Sequence, residues 1–414
     1  MKWSVYKYMR ENNLFNKNFI LIIIGQIVSL FGNGIIRFIL PLYLLDLTGS
    51  AMIFGFISAL SFIPLILVMP VGGLIADKLN KRNIIVILDF LTGILMLVFL
   101  ILLNKVNIIL LFLITMMILY AINGLYQPTI QSIVSVVLDK KLLIKGNSII
   151  SSISSLSNFL SPIIAGILFS KYNINTIIFI SIICFILSAI SEIFINIDFN
   201  KNLEKTNIFN ILKEDFSISI SFIFKQNKII RKIIFVSCIL NCFISSLVVI
   251  GLPIIINNRL NFSSNFYGLA TGILAFGGIF GGVISGILNI KIQHLYKIFF
   301  LLTISIIPFL FSIFFIKYKV LSYSFILVSV FFIMMLATVI SIIVMTYIQS
   351  NTPQNILGKV MSFLLVFSIC FQPIGQAFYG FVFEYFVGYE YLIILLPILI
   401  SLFMSFYVKF ISKI

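Results

Sequence analysis

Apolar residues run through this chain in long blocks, and polar residues gather in short clusters between the blocks. Between Phe19 and Leu45, for example, the main interruptions are Gln26, Ser29, Asn33 and Arg37. Read between charged residues and Asn, Gly or Pro punctuation, the blocks predict twelve spans. They lie near 19–45, 51–76, 84–103, 107–138, 146–170, 174–197, 233–256, 265–289, 295–316, 320–349, 358–387 and 390–411. A helix needs about 20 apolar residues to cross a hydrocarbon core about 30 Å thick. Lipid offers the backbone no hydrogen bonds, so a spanning segment satisfies its own as a helix or within a closed barrel. The short alternating strands of a barrel are absent, so helices are expected throughout. The first run is too long for a secretory signal core and has no small-residue cleavage site, so it reads as a retained span.

Composition strengthens this reading. The 414 residues are 61% hydrophobic and 10% charged, with mean hydropathy +1.21. Soluble domains are about 45–50% apolar and about 25% charged. Lipid must therefore be the solvent for most of the surface. The net charge of +16 is spread over short loops, so it speaks for orientation and against a nucleic-acid partner. With the N-terminus in the cytoplasm, 22 of the 28 Lys and Arg fall on inside segments and 5 outside, with Arg37 within a span. That bias predicts both termini inside. Cys184, Cys238, Cys242 and Cys370 all lie in apolar runs, without metal or disulfide spacing. No phosphate-binding glycine loop is present, and no cofactor, metal or catalytic group is expected; the chain does not read as an enzyme.

An internal echo divides the chain. GGLIADKLN at 72–80 resembles GGVISGILN at 281–289, an offset of 209. LSPIIAG around Pro162 resembles FQPIGQA around Pro373, an offset of 211. Both copies of the first motif end the second span of their half. The expected domains are a six-helix bundle over 1–197, a cytoplasmic linker over 198–232 and a second six-helix bundle over 233–414. The linker reads as an amphipathic segment on the inner membrane surface or as a simple tether. Two bundles in one orientation form a parallel repeat, a transporter architecture with its substrate path near the midplane.

The twelve-span layout and GGLIADKLNKRNIIVIL resemble the major facilitator superfamily, whose signature follows the second helix. Gly73, Asp77, Lys78, Asn80, Lys81 and Arg82 fill its places, with Asn80 where glycine is common. GQIVSLFGNGIIRFILPLYLLDLTGSA (25–51), LYQPTIQSIVSVVLDKKLLIKGNSI (125–149) and TPQNILGKVMSFL (352–364) are similar to the macrolide-efflux-like branch of bacterial exporters. The implied fold is an all-α membrane protein of 12 transmembrane helices.

Gly72 and Gly73 remove side chains where helices must approach closely. The resemblance implies that Asp77 latches the inner gate against the helix N-terminus near Gly358, where unbonded N–H groups carry partial positive charge. Lys78 or Arg82 could then bind Asp139. The competing reading is that Lys78, Lys81 and Arg82 only fix topology. The second motif carries Gly286 in place of Asp77, so the echoing gate lacks its carboxylate.

Ionisable groups within spans cost about 2.5–3.5 kcal/mol on insertion scales and are functional candidates by default. Arg37 shares a helix face with Asn33, four residues away, and Gln26 lies two turns before Asn33. This stripe either lines a cavity or lets Arg37 snorkel to the outer headgroups. Asp89 and Glu192 lie near the inner surface, where interfacial and proton-handling roles are both open. Glu384 lies near the outer end of span eleven, where it could simply reach water. Asn123, Gln127 and Gln131 on span four, Asn158 and Pro162 on span five, and Gln372 and Gln376 on span eleven complete the expected substrate or proton pathway.

The expected function is secondary active, proton-coupled efflux of a small amphipathic organic compound across a bacterial plasma membrane, by a monomer. Nutrient uptake, siderophore export and a non-transporting membrane sensor are the alternatives.

Overall fold

The structure is a computed structural model that describes residues 14–139, 142–197, 217, 220–223, 228–288, 292–353 and 356–411. Among these, twelve helices are long and apolar enough to cross a membrane. They are α1 (Lys17–Thr48), α2 (Ala51–Lys78), α3 (Lys81–Leu102), α4 (Ile108–Val137), α5 (Leu143–Lys171) and α6 (Ile174–Ile193), then α7 (segments running from Lys228 to Arg259), α8 (Ser264–Leu288), α9 (Leu295–Phe314), α10 (Lys319–Asn351), α11 (Leu357–Tyr385) and α12 (Glu390–Ile411). All twelve expected spans are present, and no strand occurs among the described residues. Most of the expected linker over 198–232 lies outside the described residues. Large apolar side chains such as Leu67, Ile287 and Phe410 point outward, as lipid-facing positions do.

Local chemistry explains the helix ends. Gly49 takes φ +63°, a left-handed conformation that glycine adopts at no steric cost, and it ends α1. Ser50 then caps α2, its hydroxyl accepting from the Ile53 N–H at 3.2 Å. Asn80 caps α3 by accepting from the Arg82 N–H at 3.1 Å. Its backbone is extended, at φ −65°, so asparagine works here as a side-chain cap and no glycine is needed. Asn107 caps α4 in the same way.

α7 is not uniform. It is α-helical over Lys228–Ile239 and Ser246–Pro253, and widens into π-helical turns at Leu240–Ser245 and Ile254–Arg259. Wide turns disturb the ordinary carbonyl pairing. The Ser246 hydroxyl lies within 2.9 Å of the carbonyls of Asn241 and, on α11, Gln372. Gly375 of α11 abuts the Cys242 carbonyl, where a side chain would not fit.

The packing repeats between the two halves of the sequence. α3 packs on α4 and α6, and α9 packs on α10 and α12. Gly72 of α2 sits against the Gly124 carbonyl of α4, and Gly281 of α8 sits against the Met335 carbonyl of α10. The glycines occupy matching places in the sequence echo, and each lets a neighbouring backbone approach.

Contact grouping gives two compact units. The first comprises residues 1–40, 61–161 and 171–208; the second comprises 41–60, 162–170 and 209–414. Short segments of α1, α2 and α5 thus pack with the later helices in the second unit. The first unit has a core around Phe19, Ile22, Ile85, Ile133 and Val134. The second is built on a larger core that includes Leu247, Phe299, Ile326, Ile340 and Tyr379.

Candidate functional site

A cavity of about 130 Å³ opens inside the first unit. α1 contributes Leu30, Asn33, Gly34 and Arg37 to its wall; α3 contributes Asp89. Ile122, Asn123, Tyr126 and Gln127 of α4 and Ser157 and Asn158 of α5 complete it. Polar side chains therefore share the wall with apolar ones, inside a bundle whose outer surface is apolar. Gly34 makes room on α1, because a side chain there would collide with Ser161 of α5.

Arg37 anchors one side of the cavity. Its guanidinium lies over the Tyr120 ring, 4.7 Å from the centroid, a cation–π contact that strengthens where water is excluded. Nη2 donates to the Leu119 carbonyl at 3.4 Å, while Nε is buried without a hydrogen-bond partner. Asn33, one turn away, donates to the Ser29 carbonyl at 3.1 Å.

Behind the cavity lies a polar cluster joining α1, α3, α4 and α6. Ser29 donates to Asp89 Oδ1 at 2.9 Å. Gln26 Nε2 donates to the Tyr126 hydroxyl at 3.0 Å, and that hydroxyl lies 3.5 Å from Glu192 Oε1, toward which it can donate. Ser188 donates to the Gly25 carbonyl at 2.9 Å. Asp89 is 1% exposed and Glu192 0%. Both side chains are therefore enclosed within the bundle. Gly25 explains how Glu192 fits, since a β-carbon there would lie 2.8 Å from Glu192 Cγ and Oε1.

Sequence reasoning named Glu192 as an ionisable candidate without joining it to the pathway residues, and it assigned no role to Ser29, Tyr126 or Ser188. A usable signal existed. The buried face of α6 runs Ile174, Ile178, Ser181, Phe185, Ser188, Glu192, in alternating steps of four and three. Asp89 likewise continues the buried face of α3 through Ile85, Thr92, Met96 and Phe99.

Other expected pathway residues fall elsewhere. Gln131 is exposed and outside the cavity wall, one turn beyond Gln127. Pro162, Gln372, Gln376 and Glu384 belong to the second unit. There the α1–α2 end is held by two glycine crossings. Gly55 of α2 meets Gly380 of α11, where a β-carbon on Gly55 would come within 2.7 Å of both the Gly380 Cα and the Gln376 carbonyl. Gly166 of α5 meets Gly268 of α8, with the Pro162 carbonyl in the same contact. Gln372 offers its carbonyl to Ser246, and the Gln376 Oε1 is buried without a partner. Glu384 is not merely reaching water. It accepts from the Ser50 hydroxyl at 3.1 Å and the Met52 N–H at 3.3 Å, so it caps the N-terminus of α2 from α11.

At the opposite end of α2, the side chains of Asp77 and Lys78 and the surroundings of Gly73 and Gly358 lie outside the described residues. Lys81 is half-buried. Of the two partners expected for Asp139, the Lys78 side chain lies outside the described residues; Arg82 forms no ion pair with Asp139 among the described residues, its Nε is buried without a partner, and Asp139 is exposed.

Comparison with known proteins follows this geometry. The family profile described as Major Facilitator Superfamily matches residues 22–378. Macrolide efflux protein A of Streptococcus pyogenes is 24% identical over 190 residues, 46% of this chain and 47% of that protein. The match thus spans about half the length of the curated relatives. Among solved structures, nucleoside transporter NupG is similar with TM-score 0.75 and 14% identity, over 96% of this chain and 100% of that one. A D-xylose-proton symporter is similar with TM-score 0.68 and 12% identity, over 95% and 96%. At such identities these structures speak for the fold alone.

Proposed function

Because the chain belongs to the Major Facilitator Superfamily, we propose that it is a secondary active exporter, moving a small amphipathic organic compound out across a bacterial plasma membrane in exchange for protons. The observation that carries this reading is the polar cavity of the first unit, walled by Arg37, Asn33, Asn123, Gln127, Asn158 and Asp89. Amides and one cation among apolar neighbours suit a solute with both polar and greasy parts. Macrolide-like compounds are the first substrate class to try, given the likeness to Macrolide efflux protein A.

Transport proceeds by alternating access. The charge bias of the loops favours cytoplasmic termini, which puts the α1–α2 end outside. The two glycine crossings and the Glu384 cap then belong to the outer seal. Asp77, with Lys78, Lys81 and Arg82, serves the inner gate. The chain acts as two six-helix halves, 1–197 and 233–414, joined by the 198–232 linker, and works as a monomer.

The test is accumulation of a labelled macrolide in a drug-sensitive bacterial host. Expression should lower accumulation, and a protonophore should restore it. Raised accumulation on expression would turn the reading to uptake. Unchanged accumulation across a panel of macrolides and amphipathic dyes would favour a sensor or a dedicated permease for another solute.

A further inference from the structure

We propose that Asp89 and Glu192 form the site of the coupling proton, with Asp89 exchanging it and Glu192 governing how tightly it is held. This rests on the exporter reading and names the acids that reading leaves open.

The observations are geometric. Both carboxyls are buried, and each has one oxygen, Asp89 Oδ2 and Glu192 Oε2, without a hydrogen-bond partner. No Lys or Arg forms an ion pair with either among the described residues. Two ionised carboxylates in one such cluster would repel each other, and neither has an ion-paired cation among the described residues. One proton held by the pair removes that repulsion. The groups facing it are Ser29 and Gln26 from α1, Tyr126 from α4 and Ser188 from α6. Of these only Tyr126 is titratable. Arg37 is the one cation on the cavity wall and is bonded to Leu119 instead.

The division of labour follows from access. Asp89 lines the cavity, and Glu192 does not. Glu192 is pressed against Gly25 and faces the Tyr126 hydroxyl. Uptake forms one O–H bond on an Asp89 oxygen and breaks one in a hydronium ion from the cavity, leaving water. Release is the reverse. A proton suits this site better than a metal cation. A metal needs a shell of acceptor oxygens with open space at the centre. Here the Ser29 and Tyr126 hydroxyls can donate toward the acids, and the Glu192 side is closely packed.

The experiment is infrared difference spectroscopy of the purified full chain in lipid nanodiscs, titrated from alkaline to acidic pH with the proton itself as probe. Wild type should develop a protonated-carboxyl band. Asp89→Asn should lose it, and Glu192→Gln should keep it with a displaced midpoint. Should Asp89→Asn not fold, Ser29→Ala, which removes one donor to Asp89, should also displace the midpoint. A wild type without a titrating band, a band indifferent to all these substitutions, or one abolished by sodium at fixed pH would overturn the proposal. Reconstituted vesicles loaded with labelled macrolide separate the two levels. Glu192→Gln, whose side chain lies off the cavity wall, should retain solute exchange and displace the pH at which a gradient stimulates it. Stimulation at the wild-type pH in that variant overturns the coupling site alone. Wild type that exchanges macrolide without responding to the gradient overturns proton-coupled efflux itself, and the coupling role with it, whatever the band shows.

Discussion

Arg37 has a fixed charge inside a lipid-solvated bundle, held by one aromatic face and one backbone carbonyl. Lysine would keep the charge but lose the planar stack and the fork of donors. Arg37→Lys should therefore lower macrolide efflux by about tenfold, equivalent to ~1.4 kcal/mol, with unchanged membrane expression; efflux at the wild-type rate would remove Arg37 from the substrate path. Glu384 acts at the same scale. A carboxylate at a helix N-terminus contributes about 0.3–1 kcal/mol, more when partly buried. Glu384→Gln should weaken the seal proposed for the α1–α2 end, read as faster labelling of a cysteine introduced by Asn265→Cys, which lies against Gly166 at the Gly166–Gly268 crossing. Asp77→Asn should impair transport while leaving expression intact, and wild-type transport would remove the gate role expected for it. The chemistry of these residues could be read from their type and setting. Glu384's partners could not, because Ser50 and Met52 lie more than 300 positions away along the chain.

Helix ends follow local rules, and so were largely legible: Gly49, Ser50, Asn80 and Asn107 act within a few residues of themselves. Helix crossings are different. The glycine pairs at 55 and 380 and at 166 and 268 fill one another's missing volume, and the spacing of neither helix says which partner it will meet. Gly55→Ala places a β-carbon on backbone atoms that cannot rotate away. Overpacking of this kind costs about 1–3 kcal/mol. The substitution should disfavour closure at the α1–α2 end and slow transport, while Gly282→Ala, where nothing lies within reach of a β-carbon, should transport normally. Equal rates in the two variants would show that the crossing is not limiting. The buried faces of α3 and α6 lie between these cases. Their periodicity marks Asp89 and Glu192 as facing the bundle interior, while position along the span sets their depth. Packing supplies the room, since Gly25 clears the space that Glu192 fills.

For the molecule as a whole, the loop charges predict that reporters fused at the two ends report the same, cytoplasmic face. Opposite faces would undo the outer and inner assignments made here. The number of spans, their approximate limits and their helical nature were determined by the sequence itself, because lipid imposes one requirement on every segment separately: apolar length and internally satisfied hydrogen bonds. The repeat was legible too, since matched glycines serve matched packing against α4 and α10. Only the tertiary structure decided which polar residues meet. It gathered Asn33, Arg37, Asp89, Asn123, Gln127 and Asn158 around one cavity, joined Glu192 to Tyr126 and Gln26, and sent Glu384 to cap α2. A polar group in lipid must find a partner, but a one-dimensional pattern specifies only its own helix and face; the partner is fixed by how helices distant in sequence cross.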